Sequence, residues 1–307
     1  VTRVLVAGAA GFIGRHVVDY ILEETDWGII AVSRSEQGHE HVSPHERVAW
    51  VHADLAHTDP KILAKVIGDE VQYVVNLAAD ADAARSLEAP MYAVDNNVRL
   101  AMTLLEYARG LYSLRRFVQV SSAEVFGTSH IAHTEYSAPR PQTPYAASKA
   151  AQDALALAYR EAYGMPVLVS HTGNVFGEGQ PLSKLLPVLM ARAWRGDRLE
   201  VVPGERRFIH AQDCASAWVW MLKQAPDDWS HCHVAGERRV SHAHFARLVA
   251  TAVGRPEAAV RVGGQGRPGQ VGDIMLDGHR LAAAGWRHPL GLERGVQQAV
   301  DALREFL

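Results

Sequence analysis

Short runs of Val, Ile, Leu and Ala punctuate the first half of the chain. "RVLVAG", "GIIAVS", "VAWVHAD", "VQYVVNLAA", "RFVQVSS" and "MPVLVSHTGNVFG" each have the β-branched content of a strand. The stretches between them, such as "AMTLLEYARGLY" and "SKAAQDALALAYREAY", carry apolar residues at helical spacing. Strands that are apolar on both faces and alternate with helices predict an α/β architecture, a parallel, doubly wound sheet covered on both sides. After about residue 175 the rhythm turns to mixed helix and short strand, with Gly/Pro punctuation at "GGQGRPGQVGD". The pattern therefore predicts a sheet-building domain over residues 1–174, also receiving about 207–232, and a smaller lobe over 175–307, interleaved with it and closing on the sheet's carboxyl edge.

Composition narrows the class. Of 307 residues, 48% are hydrophobic and 21% charged, with a net charge of −3, as in a globular protein large enough for two lobes. Near-neutral charge and a pI of about 6.6 argue against a nucleic-acid or membrane-surface role. No apolar run is long enough to span a bilayer, no basic segment precedes an apolar one, and "VTRVLVAG" already reads as a core strand. Cys214 and Cys232 alone make no disulfide framework, and a reducing cytoplasm is the simplest location. Arginines outnumber lysines 26 to 5, which singles out each lysine.

"VLVAGAAGFIGRHVVDYIL" sets Gly8, Gly11 and Gly14 in a G-x-x-G-x-x-G spacing, after the first strand and at the start of a helix. A tight turn, close backbone approach to a pyrophosphate and free amides at a helix N-terminus are what a dinucleotide needs, and Phe12 and Ile13 fall inside that turn. At the end of the next strand a NAD site usually offers a carboxylate to the ribose 2′-hydroxyl. This chain has Ser33 and Arg34 there, and a guanidinium pairs with a 2′-phosphate, so NADP is favoured over NAD, with Arg15 as a helper. The plainer reading of Arg34 is a solvated surface side chain.

"TPYAASKAAQD" places Tyr145 and Lys149 four apart, on one helix face, where an ammonium lowers the pKa of a phenol. With these motifs in hand, the chain resembles an extended short-chain dehydrogenase/reductase of the nucleotide-sugar epimerase/dehydratase group over almost its whole length. The likeness is carried by "GAAGFIG", "ADL", "NLAA", "SLEAPMYAVDNNV", "SSAEVFG", "YAASK", "GNVFGEGQ", "RRFIHAQD" and "RPGQVGD" with "AAGWRHP". It implies a Rossmann fold with cofactor contacts at Asp54, Leu55, Leu77, Ala78, Ala79 and Asn97. It also implies that Ser122 hydrogen-bonds the sugar's reacting oxygen, that Tyr145 is the acid/base, and that Lys149 tunes it and holds the cofactor ribose. Ala123, Asn174, Arg206 and Arg267 match substrate positions, the last three holding the diphosphate or nucleotide. The implied partner is a nucleotide-diphosphate sugar. The implied assembly is a homodimer through the helix carrying Tyr145 and the one near residues 97–109.

In that group the pair after the reacting Ser or Thr sorts the chemistry, and full dehydratases carry Asp then Glu. Here Ala123 precedes Glu124, so the base is kept and the usual proton donor is absent. A carboxylate beside a 4-keto sugar can take the acidified C–H proton, and the alternative is a carboxylate that only caps its turn. Two departures stand out: His171 replaces an arginine common three residues before Asn174, and "QVGDIML" lacks the basic residues of decarboxylases. The reading is a 4-keto-forming epimerase/dehydratase with internally recycled cofactor. Its rivals are an NADPH-dependent 4-keto-6-deoxysugar reductase and a non-catalytic NADP-binding redox sensor. His231, Cys232, His233, His242 and His244 resemble metal ligands by type, but this chemistry needs no metal and the segment reads as a strand and a helix start.

Overall fold

The apolar runs of the first half assemble into one parallel sheet. The computed structural model describes residues 1–35, 45–263 and 272–304. Its first half runs β1 (Arg3–Ala7), α1 (Phe12–Glu24), β2 (Gly28–Ser33), β3 (Val48–His52), α2 (Pro60–Ile67), β4 (Tyr73–Asn76), α3 (Ala83–Glu88) and α4 (Pro90–Arg109). There follow β5 (Arg116–Ser122), α5 (Pro144–Tyr163), β6 (Val167–Thr172), β7 (Val175–Phe176), α6 (Leu185–Arg195), β8 (Leu199–Val201), β9 (Glu205–Arg206) and β10 (Ile209–His210). The chain ends with α7 (Ala211–Gln224), β11 (His231–Val234), β12 (Val240–Ser241), α8 (His242–Val253), β13 (Val260–Val262), α9 (His279–Ala283) and α10 (Leu292–Arg304).

The seven-stranded sheet has the order β11-β6-β5-β4-β1-β2-β3, with every pair parallel. Successive strands leave β1 to one side and, from β4 onward, to the other. That reversal opens a crevice at the carboxyl ends of β1 and β4, the place where such sheets take ligands. The last strand is borrowed from the second half, since β11 pairs with β6 from His231 opposite Val169 to Val234 opposite Thr172.

Both faces are dry. On one, α1 and α7 bury Val17, Ile21, Trp218 and Met221 against Val4, Val6 and Val118. On the other, α2, α4 and α5 bury Leu63, Leu104, Leu105 and Ala156 against Leu5, Val74 and Phe117. A separate core of α6, α8 and α10 gathers Leu189, Phe245, Val249 and Val296, where Phe208 stacks on Phe245 at 4.1 Å. The run predicted as a single strand, "MPVLVSHTGNVFG", divides into β6 and β7. Asn174, between them, takes a left-handed φ of 54°, which ends an extended run. Among the described residues no helix is long and apolar enough to cross a membrane.

Candidate active site

The first turn is a cradle that only glycine allows. Gly8 takes φ 81°, and a Cβ there would stand 3.0 Å from the Ala78 nitrogen and the Leu77 carbonyl carbon. A Cβ at Gly14 would run into the Gly8 carbonyl oxygen and lie 2.8 Å from Ala9 Cα. Gly11 is the N-cap of α1, and no acidic residue occupies the helix's first turn, where Phe12 and Ile13 begin it. Its amides and positive end therefore face the crevice unneutralised. Opposite, Leu77, Ala78 and Ala79 leave β4, with the Ala78 N–H donated to Asn76 Oδ1 at 3.1 Å. Buried Asn97 accepts from the Asp80 N–H at 2.7 Å and donates to Ser148 Oγ at 2.8 Å, pinning that segment to α5. Asp54 accepts from the Ala56 N–H at 3.1 Å above buried Leu55. This cradle fits a dinucleotide.

At the end of β2 the Ser33 hydroxyl is buried and closes a turn with the Ser35 backbone. Arg34 is exposed and donates from Nη1 to the Tyr92 hydroxyl at 3.0 Å. Arg15, expected as its helper, points elsewhere. Its Nη2 donates to the Gly179 carbonyl at 3.1 Å, because helical spacing turns it toward the loop between β7 and α6.

Ser122, Glu124, Tyr145 and Lys149 meet at the carboxyl end of β5. Ser122 Oγ accepts from the Glu124 N–H at 3.2 Å, so it caps the short 3₁₀ turn of residues 123–126, and it also hydrogen-bonds the Tyr145 phenol. Pro144 and the Thr143 cap, which accepts from the Ala146 N–H at 3.1 Å, start α5 at this point. Ser86 Oγ accepts the Tyr145 N–H at 3.1 Å. Lys149 is 3% exposed, and its Nζ donates to the Val120 carbonyl at 2.8 Å and to Gln152 Oε1.

Electrostatics departs here from the sequence expectation. Burial lowers Lys149 to about 8, with the Asp153 charge opposing. The Tyr145 phenol is pushed up rather than down, by burial and then by the Glu124 charge, against the Ser122 hydrogen bond. In the chain alone the Lys149 ammonium is directed to Val120 and Gln152, so it does not offset that burial.

Burial pushes the Glu124 carboxyl up to about 7, with Lys184 and Arg206 opposing. Its Oε2 has no hydrogen-bond partner. The Ala123 methyl is buried in a small apolar cluster with Val125, Phe126 and Ile274, and brings no acid. Asn174 is exposed in its left-handed conformation. Arg206 is buried and donates from Nη1 to Asp273 Oδ1 and to the Glu205 carbonyl, both at 2.8 Å. Arg267 lies outside the described residues.

Several contributors escape a reading of the sequence. Lys184, ahead of α6, acts on Glu124, and its one signal was being among five lysines. Beneath Lys149 runs a buried amide chain: Asn76 Nδ2 donates to Gln119 Oε1 at 2.8 Å, Gln119 Nε2 to Gln152 Oε1 at 3.3 Å, and Gln152 Nε2 to the Asn97 carbonyl at 2.6 Å. An amide in the middle of an apolar run, as in "VQV", was its visible trace. His171 and His233 pack around Phe126. Among the described residues no group of three or more His, Cys, Asp or Glu could hold a metal ion.

A sheet of this order with a glycine cradle at its switch point defines a Rossmann-type nucleotide-binding enzyme fold. The chain belongs to the NAD dependent epimerase/dehydratase family, whose model matches residues 4–235. It is 29% identical to the low-salt glycan biosynthesis protein Agl12 of Haloferax volcanii, over 97% of both chains. Over 97% of its length it also matches trifunctional enzymes of Arabidopsis thaliana, of which it spans 46–47%. Among solved structures, a dTDP-glucose 4,6-dehydratase from Streptomyces venezuelae with NAD bound is 27% identical, with a TM-score of 0.86 over 99% of this chain and 97% of that one. A UDP-glucose 4-epimerase from Thermus thermophilus in complex with NAD is 26% identical, with a TM-score of 0.86 over the whole of both chains.

Proposed function

We propose that the chain oxidises the C4 hydroxyl of a nucleotide-diphosphate sugar to a 4-keto intermediate and later reduces it again with the same retained cofactor. The observation that carries this is the convergence of Ser122, Tyr145, Lys149 and Glu124 at the crevice beside the glycine cradle. When bound, the nicotinamide supplies the hydride acceptor and a positive charge near the phenol. Tyr145 takes the hydroxyl proton and Ser122 orients the reacting oxygen. With the cofactor bound, Lys149 would turn its ammonium to the cofactor ribose and so bring its positive charge to bear on the phenol. Glu124 takes a proton from carbon next to the new ketone, since the ketone acidifies that C–H bond. Ala123 offers no second acid, so Glu124 has to serve both as base and as proton source. Asn174, Arg206 and Arg267 would hold the substrate's diphosphate or nucleotide, and Arg34 favours NADP over NAD. In this reading residues 1–174 with 207–232 carry the cofactor and the rest of 175–307 shapes the substrate lobe.

Purified protein incubated without added cofactor on a panel of UDP-, dTDP- and GDP-sugars, including a uronic acid, tests the proposal by mass spectrometry. Loss of water, loss of carbon dioxide, or an isomer of unchanged mass would each support internal recycling. A second reading rests on Arg34, a cation where NAD sites carry an acid. It is an NADPH-consuming 4-keto-sugar reductase, and turnover only with added NADPH and a 4-keto sugar would establish it instead. A redox sensor without turnover has no need of the full Ser–Tyr–Lys set that this chain keeps.

A further inference from the structure

Tyr145, Lys149 and Asp153 recur every four residues along α5 and form one stripe facing the end of β5. Each has a partner there: Ser122 for Tyr145, the Val120 carbonyl for Lys149, and Ser121 for Asp153. The Asp153 carboxylate is buried. Ser121 Oγ donates to its Oδ2 at 2.8 Å, and His171 Nε2 meets the same oxygen at 3.0 Å. Its other oxygen, Oδ1, has no partner, and neither does His171 Nδ1. A carboxylate oxygen can only accept, so the proton shared in this contact comes from His171 Nε2.

A buried carboxylate whose two donors both meet one oxygen, leaving the other bare, is costly unless positive charge lies near it. The charged and titratable groups around Asp153 are Lys149 and Tyr145 on its own helix, His171 on β6, and His231 beyond it on β11, on whose ring Arg160 and Arg280 act. The cation one turn away on the same face is Lys149. We propose that Asp153 is a positioning residue, the counter-ion that keeps Lys149 charged beside Tyr145, with Ser121 and His171 holding its carboxylate in place. The proposal rests on Lys149 serving Tyr145 as described above. It also gives the two adjacent serines separate tasks: Ser122 faces the phenol and Ser121 fixes the charge behind it.

Five lysines make the test direct, because lysine labelled with ¹³C at the ε-carbon gives few signals in the full chain and Lys149→Arg assigns the one that matters. In the unaltered protein, burial against the opposing Asp153 charge brings Lys149 down to about 8, and the experiment reads the change from the midpoint it measures there. In Asp153→Asn its midpoint falls by about one pH unit or more while the other signals stay in place. Should that variant not fold, Asp153→Ser removes the charge and keeps a hydroxyl for the same partners. His171→Gln keeps a donor but cannot charge, and is expected to leave the Lys149 midpoint where it was. An unmoved Lys149 in the folded Asp153 variants would overturn the proposal, as would an equal shift in His171→Gln. The titration needs no substrate, so a silent sugar panel would refute the proposed reaction without touching this result.

Discussion

Glu124 keeps its carboxyl where water and hydrogen-bond donors are scarce, and that dictates two responses to pH. Its folded value of about 7 lies above the ordinary 4.5, so the folded protein holds an extra proton between those limits. Stability contributed by that proton is present at low pH and lost as pH rises through the window. Glu124→Gln should therefore raise the melting temperature by a few degrees near pH 8 and hardly at all near pH 5, as read by calorimetry. Its base function follows the opposite course, growing as pH rises through 7. Exchange of the sugar's ring hydrogens with D₂O should vanish in the same variant while oxidation at C4 survives. Arg34→Ala should lower the NADP-to-NAD affinity ratio about tenfold in calorimetric titrations, since a charge-assisted pair is removed from one ligand only. Tyr145, Lys149 and the Ser122–Glu124 turn were legible because spacing within one element brings them together. Lys184, Gln119, Ser121 and His171 were not, because each acquires its meaning from a partner on another element.

At the level of elements, turn chemistry was the most readable feature. Gly8 and Gly14 announce the β1–α1 turn because a side chain at either would collide with backbone. Gly14→Ala should push α1 off Gly8, costing about 1–3 kcal/mol in urea unfolding and at least tenfold in NAD affinity. The division between β6 and β7 was hidden, since a left-handed asparagine has no apolar signature and a valine-rich run on both sides masks it. Arg15 misled for a related reason. Its neighbours in sequence belong to the cradle, but one position along a helix turns a side chain by about 100°, and it answers to Gly179 instead.

For the molecule as a whole, α4 and α5 lie side by side, and beyond their buried faces Met91, Val94 and Tyr163 stay exposed while Ala154 and Ala158 leave a shallow surface. We propose that these two helices pair with their copies in a homodimer. Light scattering should then give twice the 33.6 kDa chain mass, and Ala158→Arg should return it to the single-chain value without changing the melting profile of the sheet. The strand–helix alternation was readable from the first half, but the order of the sheet was not, because pairing partners far apart in sequence leave no local pattern. His231–Val234 is the clearest instance, a stretch noticeable for its histidines whose main structural part is to finish the sheet.

That borrowed strand also bears on the order in which the protein can be made. A chain emerging from the ribosome has completed β6 some sixty residues before β11 leaves the exit, counting from Thr172 to His231. Through that interval β6 presents an open row of amides and carbonyls, and Trp218 and Met221 of α7 have yet to cover the sheet behind it. The seven-stranded sheet is thus finished only by a strand that follows α6 and β8–β10, elements outside that sheet, so its edge stays open until they have been made.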